Sequence, residues 1–216
     1  SIDHGGRYAY RNQPQIAHWN LAMLTQSLLP YLDDDTDKAL ASAQAALDAF
    51  PALYQASYRE QMLKKLGLTE ASAGNDTLIQ DLLALMQENN TDFTLTFRRL
   101  SDLVDPQNAS GGGVAGLFEI PESFEGWATR WKQALLKEAM TPAERQAAMY
   151  SVNPVYIPRN HLVEEAIDAA QRHQDFEPFN FLLDLLANPF EFNPANNRYA
   201  LPPEPEQVVT QTFCGT

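Results

Sequence analysis

Residues 121–154 read PESFEGWATRWKQALLKEAMTPAERQAAMYSVNP, and they carry the clearest fold signal of the chain. Within this stretch, Thr141-Pro142-Ala143-Glu144 is a capping box with proline at the first helical position, which predicts the start of a helix. A preceding helix is predicted from Pro121, because large apolar residues follow it at helical spacing. Asn153-Pro154 is predicted to end the second helix. The stretch therefore predicts two consecutive helices.

Trp127 and Trp131 lie four residues apart in the first of these helices. Two aromatic side chains at this spacing can stack as a platform for a ligand, or they can pack together in a core. Core packing is the more common arrangement on a helix. We therefore predict that both tryptophans are buried.

Toward the N-terminus, the apolar residues of 15–30 recur at steps of three and four and predict a further helix. Asp33–Asp35 is predicted to cap the start of the next helix, because carboxylates favour the positive end of the helix dipole. A metal site is the alternative, but contiguous carboxylates point in different directions. Pro51 predicts a kink or a break in that helix.

Toward the C-terminus and in the middle of the chain, the same period recurs. Asp76 or Thr77 is predicted to cap a helix over 78–88, and a short helix follows with Phe93 and Phe97 on it. Two later helices are predicted to start at Pro158-Arg159-Asn160 and at Pro178. We found no alternating run of useful length for a strand, so the sequence predicts an all-α fold.

Two segments are predicted to lie outside the helices. Residues 105–113 contain a triple glycine among small polar residues and predict a flexible loop. This run lacks the Lys-Ser/Thr of a phosphate-binding loop. Residues 188–216 are rich in proline and predict an extended tail.

Composition excludes some classes of function. The 216 residues carry a formal net charge of −13, which disfavours binding to nucleic acid or to an anionic membrane surface. No apolar stretch approaches the roughly 20 residues that cross a bilayer. The single cysteine, Cys214, cannot form an internal disulfide, so a reducing cytoplasmic location is the expectation.

The chemical motifs of common enzymes are absent from the sequence. His4, His18, His161 and His173 show no metal-ligand spacing, and His161 beside Glu164 and Glu165 is more typical of a solvated helix face. The chain also lacks a nucleophile elbow and the kinase motifs. No catalytic, cofactor-binding or metal-binding residue is predicted here, which favours either a binding module or part of a longer protein.

Three separated segments decide between these possibilities. Residues 6–21 read GRYAYRNQPQIAHWNL, residues 153–161 read NPVYIPRNH, and the tail contains NPF at 188–190 and QTFCGT at 211–216. Together with NRY at 197–199 and Pro202-Pro203, these segments closely resemble the selenoprotein O family in the expected order. Residues 33–121 match it only in their general helical character.

The resemblance implies a protein-kinase-like fold that transfers AMP from ATP to Ser, Thr or Tyr hydroxyls of proteins, with Mg²⁺ or Mn²⁺. The family's nucleotide-binding, catalytic and metal-binding residues are upstream of the matched segments, so none maps onto this chain. Residues 1–216 would then be a single helical segment, the C-terminal part of the kinase-like C-lobe, inactive alone. Its partners would be protein substrates and the upstream remainder of the domain. In that parent, Ile16, Trp19 and Met23 are expected to share a core with Trp127 and Trp131.

Cys214 is the one functional position that the resemblance carries over, because some members of the family have selenocysteine near the extreme C-terminus. It is therefore a redox candidate. The alternative to the whole assignment is a free-standing helical interaction module without enzymatic activity. A small helical enzyme is a third possibility, but it would need a convergent polar pocket that the sequence does not indicate.

Overall fold

The computed structural model describes residue 6, residues 9–104 and residues 113–210. Over these ranges the chain forms α-helices and short 3₁₀ turns without any β-strand, which confirms the all-α prediction. The α-helices are α1 (Gln13–Leu32), α2 (Thr36–Lys65), α3 (Ala73–Glu88), α4 (Phe93–Val104), α5 (Pro121–Leu135), α6 (Pro142–Val152), α7 (Asn160–His173) and α8 (Glu177–Ala187). The chain divides into a first unit that ends at Arg59 and a second unit from Glu60 to Thr210.

In the first unit, α2 runs through Pro51 without a break, so a break at this proline is not observed. Proline has no backbone N–H, and the carbonyl of Leu47, one turn earlier, loses its usual partner in the helix. The Nε2 atom of His18 lies 3.1 Å from that carbonyl oxygen and donates to it, and the His18 ring stacks on Phe50. A side chain of α1 thus satisfies the carbonyl that proline leaves unpaired.

The apolar stripe of α1 is not buried within this unit. Trp19 is 49% exposed and Met23 is 43% exposed, and α1, which is described in full, has no buried residue. The predicted cap of the next helix is confirmed, because Asp35 Oδ1 accepts hydrogen bonds from the backbone N–H groups of Asp37 and Lys38.

The core of the second unit forms where α3 packs on α5 and α4 packs on α6. Trp127 and Trp131 are fully buried and stacked, with ring centroids 5.6 Å apart, so the prediction of core packing is confirmed. Each indole N–H donates to a backbone carbonyl at 2.8 Å, Trp127 to Leu78 and Trp131 to Leu66. The hydrogen bonds satisfy the polar atom of each ring and hold α5 against its neighbours.

Most of the predicted helix starts in this unit are observed, with one correction. Thr141 forms the predicted capping box with Glu144, and Pro121 stands at the start of α5. For α3, however, the cap is Ser72 rather than Asp76 or Thr77, because the Ser72 hydroxyl accepts from the Asn75 backbone N–H at 3.2 Å. The helix therefore begins at Ala73, several residues before the predicted start.

After α8 the described chain contains two 3₁₀ turns, Pro194–Ala200 and Pro205–Gln207, and no further α-helix up to residue 210. The first part of this tail packs on earlier residues of the second unit, to which it belongs. The Pro189 carbonyl accepts from the backbone N–H groups of Val155 and Tyr156 at 2.8 and 3.1 Å, and Ala200 is buried. Among the described residues, no helix has both the length and the apolar character needed to cross a membrane.

Candidate functional site

The predicted redox residue, Cys214, and most of the predicted loop, residues 105–112, lie outside the residues that the structure describes. Within the described ranges, no group of three or more His, Cys, Asp or Glu side chains could hold a metal ion. Near His161, the carboxylate of Glu165 pairs instead with Arg198 at 3.2 Å. The polar side chains that the fold does bring together are buried arginines and their partners in the second unit.

Arg159 is the first of these arginines, and it lies in the segment 153–161 that carries part of the family resemblance. Its guanidinium binds the Asp92 carboxylate through two contacts of 2.7 and 3.2 Å, and it also donates to the Ala200 carbonyl at 2.9 Å. The Arg159 side chain is only 6% exposed. Its contacts join the residue before α4, the residue before α7 and the tail.

The charge of Asp92 is stabilised within this arrangement. Burial opposes ionisation, but the hydrogen bonds from Arg159 and from the Leu95 backbone N–H outweigh it and lower the pKa of the carboxyl group below its usual value. Asp92 is therefore an anion at neutral pH. Because its charge is paired with Arg159, this residue is suited to holding the fold rather than to transferring a proton.

A second cluster surrounds Asn153, the residue that ends α6. Its carbonyl accepts from Arg98 at 3.0 Å, and its side-chain amide donates to the Lys65 carbonyl at 2.9 Å. The Lys65 ammonium in turn donates to the Val152 carbonyl at 3.0 Å, and burial lowers the pKa of this ammonium. The Arg98 guanidinium also lies 4.1 Å from the centre of the Tyr150 ring. These contacts tie α2, α4 and α6 together where α6 ends.

A third cluster is built on Arg145. Its guanidinium donates to the carbonyls of Gly67 and Leu135 and pairs with Glu138, whose carboxylate accepts from the Thr69 backbone N–H at 3.0 Å. Gly67 has a φ of +67°, and a Cβ there would lie 2.7 Å from the Met149 sulfur. Glycine is therefore required at this turn, both for its backbone conformation and for the close packing of α6.

Two buried side-chain nitrogens in this region have no hydrogen-bond partner among the described residues, and they belong to Arg159 (Nε) and to His161 (Nδ1) at the start of α7. Burial and the nearby guanidinium groups of Arg159 and Arg198 lower the pKa of His161, although Glu165 opposes them. At neutral pH the His161 ring is therefore uncharged.

Sequence reasoning did not identify these clusters. Their arginines look like ordinary surface residues of helices, and their partners lie far away in the chain, 67 residues in the case of Arg159 and Asp92. The only available signal was that Asn153 and Arg159 belong to a segment shared with a family. The clusters position the turns between helices, and their buried cations bind carboxylates or backbone carbonyls inside the fold, which indicates a structural role.

Comparison with known proteins gives one consistent result. The sequence model of the family described as protein adenylyltransferase SelO matches residues 1–187. Proteins named protein nucleotidyltransferase YdiU are similar to this chain over all of its residues. The chain is 49% identical to the one from Rhodopseudomonas palustris strain BisB18, 50% identical to the one from Rhizobium etli and 48% identical to the one from Methylorubrum populi. The chain spans 44%, 43% and 44% of these relatives, respectively, which is less than half of their length.

Proposed function

Because the chain belongs to the protein adenylyltransferase SelO family, we propose that it is the C-terminal helical portion of an enzyme that transfers AMP from ATP to Ser, Thr or Tyr hydroxyls of proteins. The observation that carries this proposal is the family match over residues 1–187. Two further findings support it: the similarity of the whole chain to part of proteins named nucleotidyltransferases, and the all-α fold of the described residues. In the reaction, the protein hydroxyl attacks the α-phosphorus of ATP, pyrophosphate leaves, and the hydroxyl proton passes to a base.

The proposal assigns the reacting groups to the remainder of the longer protein. ATP and Mg²⁺ or Mn²⁺ are its expected cofactors, but the described residues contain no cluster of His, Cys, Asp or Glu that fits a metal ion. Their buried arginines already bind carboxylates and backbone carbonyls. We therefore assign to this chain the role of a helical scaffold, with the remainder of the domain as its first partner, and we expect it to be inactive alone.

Transfer assays with two differently labelled forms of ATP test this proposal. The 216-residue chain and a longer protein of the length of its relatives are each incubated with Mg²⁺ or Mn²⁺ and a generic protein substrate. We expect the longer protein to attach label from α-³²P-ATP but not from γ-³²P-ATP, because AMP transfer retains only the α-phosphate. The 216-residue chain should attach neither label.

Two results would overturn the proposal. Attachment of the γ-label by the longer protein would indicate phosphate transfer instead of AMP transfer. Attachment of the α-label by the repurified 216-residue chain would show that the reacting groups lie within it. A longer protein with the tail residue changed, Cys214→Ser, serves as a control for the assay, since the proposal gives Cys214 no part in the transfer itself.

A further inference from the structure

The composition of α1 sets this helix apart from the rest of the chain. Its 20 residues, Gln13–Leu32, include no Asp, Glu, Lys or Arg, whereas charged residues make up 20% of the whole chain. A helix on the surface of a folded protein normally carries charged or polar residues on the face that meets solvent. The sequence of α1 therefore lacks the charged face that a solvent-exposed helix is expected to have.

The large side chains that α1 exposes are apolar or aromatic. Leu24 is 54% exposed and Leu28 is 43% exposed, so neither is covered in the structure. On one side of the helix these exposed residues are Leu21, Leu24, Leu28 and Leu32, and on another side they are Trp19 and Met23. At about 100° per residue, they extend over more than half of the helix circumference.

The neighbouring helix α2 covers only one face of α1. His18, which contacts α2, shares its face with the half-buried residues Ala22, Thr25 and Leu29. Among the described residues 9–59 of the first unit, the buried residues are Ala39 and Ala43 alone. This part of the chain thus has almost no hydrophobic core of its own, although it contains a helix that is apolar on several sides.

A helix that is apolar on all sides is typical of a membrane span or of the core of a larger protein. No described helix is long and apolar enough to cross a membrane. The chain spans only 44% and 43% of two of its relatives, so more than half of each relative lies outside the matched region. Those additional residues are sufficient to surround a helix.

We propose that α1 is a core helix of the longer protein, and that apolar side chains of its remaining residues pack on the sides that α2 leaves open. This inference rests on the proposed function, which makes the remainder of the domain the first partner of this chain. A second copy of the chain fits less well, because each copy has a net charge of −13. A two-fold contact between copies would also bury one side of α1, whereas exposed apolar residues lie on two sides.

Thiol labelling at α1 tests the proposal. Ser27 is exposed and lies one turn after Met23, whose carbonyl accepts from the Ser27 hydroxyl at 3.2 Å. Ser27→Cys changes a single atom and is made, together with Cys214→Ser, in the 216-residue chain and in a longer protein of the length of its relatives. Mass spectrometry measures the labelling rate at this site. We expect the rate in the longer protein to be at least about 100-fold lower, because a buried thiol reacts only when its surroundings open.

Two further variants make the comparison specific. Leu24→Cys probes the other exposed side of α1 and should be protected to a similar extent. Ser57→Cys is the matched control on α2, since Ser57 is exposed and lies one turn before Glu60, which pairs with Lys64 in solvent. The control site should be labelled at similar rates in the two proteins.

Two results would overturn the proposal. One is labelling of Ser27→Cys and Leu24→Cys in the longer protein as fast as that of Ser57→Cys. The other is protection that is already present in the 216-residue chain and increases with its concentration, which would identify a second copy as the occupant.

The labelling needs neither ATP nor transfer, so the two proposals can fail separately. A longer protein that protects α1 but transfers no AMP would support this inference and contradict the proposed function. A longer protein that transfers AMP while α1 stays fully reactive would contradict this inference alone.

Discussion

At the scale of single residues, the ion pair between Asp92 and Arg159 links the stability of the second unit to pH. The hydrogen bonds from Arg159 and Leu95 outweigh the effect of burial, so the pKa of Asp92 is lower in the folded chain than its usual value. Such a carboxylate stabilises the fold fully above its unfolded pKa of about 3.9. This contribution is lost as the pH falls through the folded pKa.

We expect Asp92→Asn to lower the free energy of unfolding at pH 7 by about 3 kcal/mol, because it leaves the buried Arg159 without its carboxylate. The difference from wild type should shrink as the pH falls below about 3.9 toward the lower folded pKa of Asp92, because protons bind this carboxyl first in the unfolded chain and then in the folded chain. Urea denaturation at several pH values measures both effects. Glu60→Gln, which removes an exposed ion pair with Lys64, is the control and should change little. A difference between Asp92→Asn and wild type that is independent of pH would contradict this account.

The redox role of Cys214 stays a prediction, because this residue lies outside the described part of the chain. It is the single cysteine and follows a proline-rich stretch, so we expect its thiol to react quickly. Labelling with a thiol reagent should be complete under native conditions. In a longer, active protein, any effect of oxidation on AMP transfer should disappear in Cys214→Ser. Labelling that requires denaturant, or an oxidation effect that survives the substitution, would argue against this role.

At the scale of elements, α2 depends on a hydrogen bond from α1 where it passes Pro51. His18→Phe keeps a ring to stack on Phe50 but removes the donor to the Leu47 carbonyl, and it should lower the free energy of unfolding by about 1 kcal/mol. Pro51→Ala restores the backbone N–H that this carbonyl normally binds. In that background His18→Phe should cost much less, so a double-mutant cycle should give a coupling of about 0.5 kcal/mol or more. Strictly additive effects would mean that the bond from His18 does not compensate for the proline.

Helix starts were predictable to the extent that their signals are local. The capping box at Thr141 and the proline at Pro121 act within one turn, and both starts are observed. Ser72 was missed because Ala and Gly follow it, whereas Asp76 and Thr77 stand closer to the apolar residues of α3. The continuity of α2 at Pro51 could not be predicted, since its compensating donor belongs to another helix.

At the scale of the whole molecule, the all-α class was predictable and the buried arginine clusters were not. Helical periodicity is repeated along the chain and does not depend on which helices meet. The contacts of Arg98, Arg145 and Arg159 depend on tertiary packing, and no local pattern reports them. The family resemblance pointed to the segment 153–161, and the structure supplies the reason why Asn153 and Arg159 matter there, which is that each joins several elements.

Limited proteolysis tests the predicted organisation of the whole chain. The composition of residues 105–113, with its triple glycine, predicts that a nonspecific protease cuts there first. A 30-residue helix such as α2 must open before a protease can bind it, so it should be cut later. Mass spectrometry of the first fragments identifies the sites.

A matched variant makes this proteolysis experiment sharper. Replacing Gly111, Gly112 and Gly113 by Ala reduces the backbone freedom of the segment and should slow the first cut without changing its position. The melting temperature should stay close to that of wild type, because the substitutions fall in the predicted loop and not in a helix. First cuts within α2 or α3, or a rate that the triple substitution leaves unchanged, would show that residues 105–113 are not the most accessible segment of the chain.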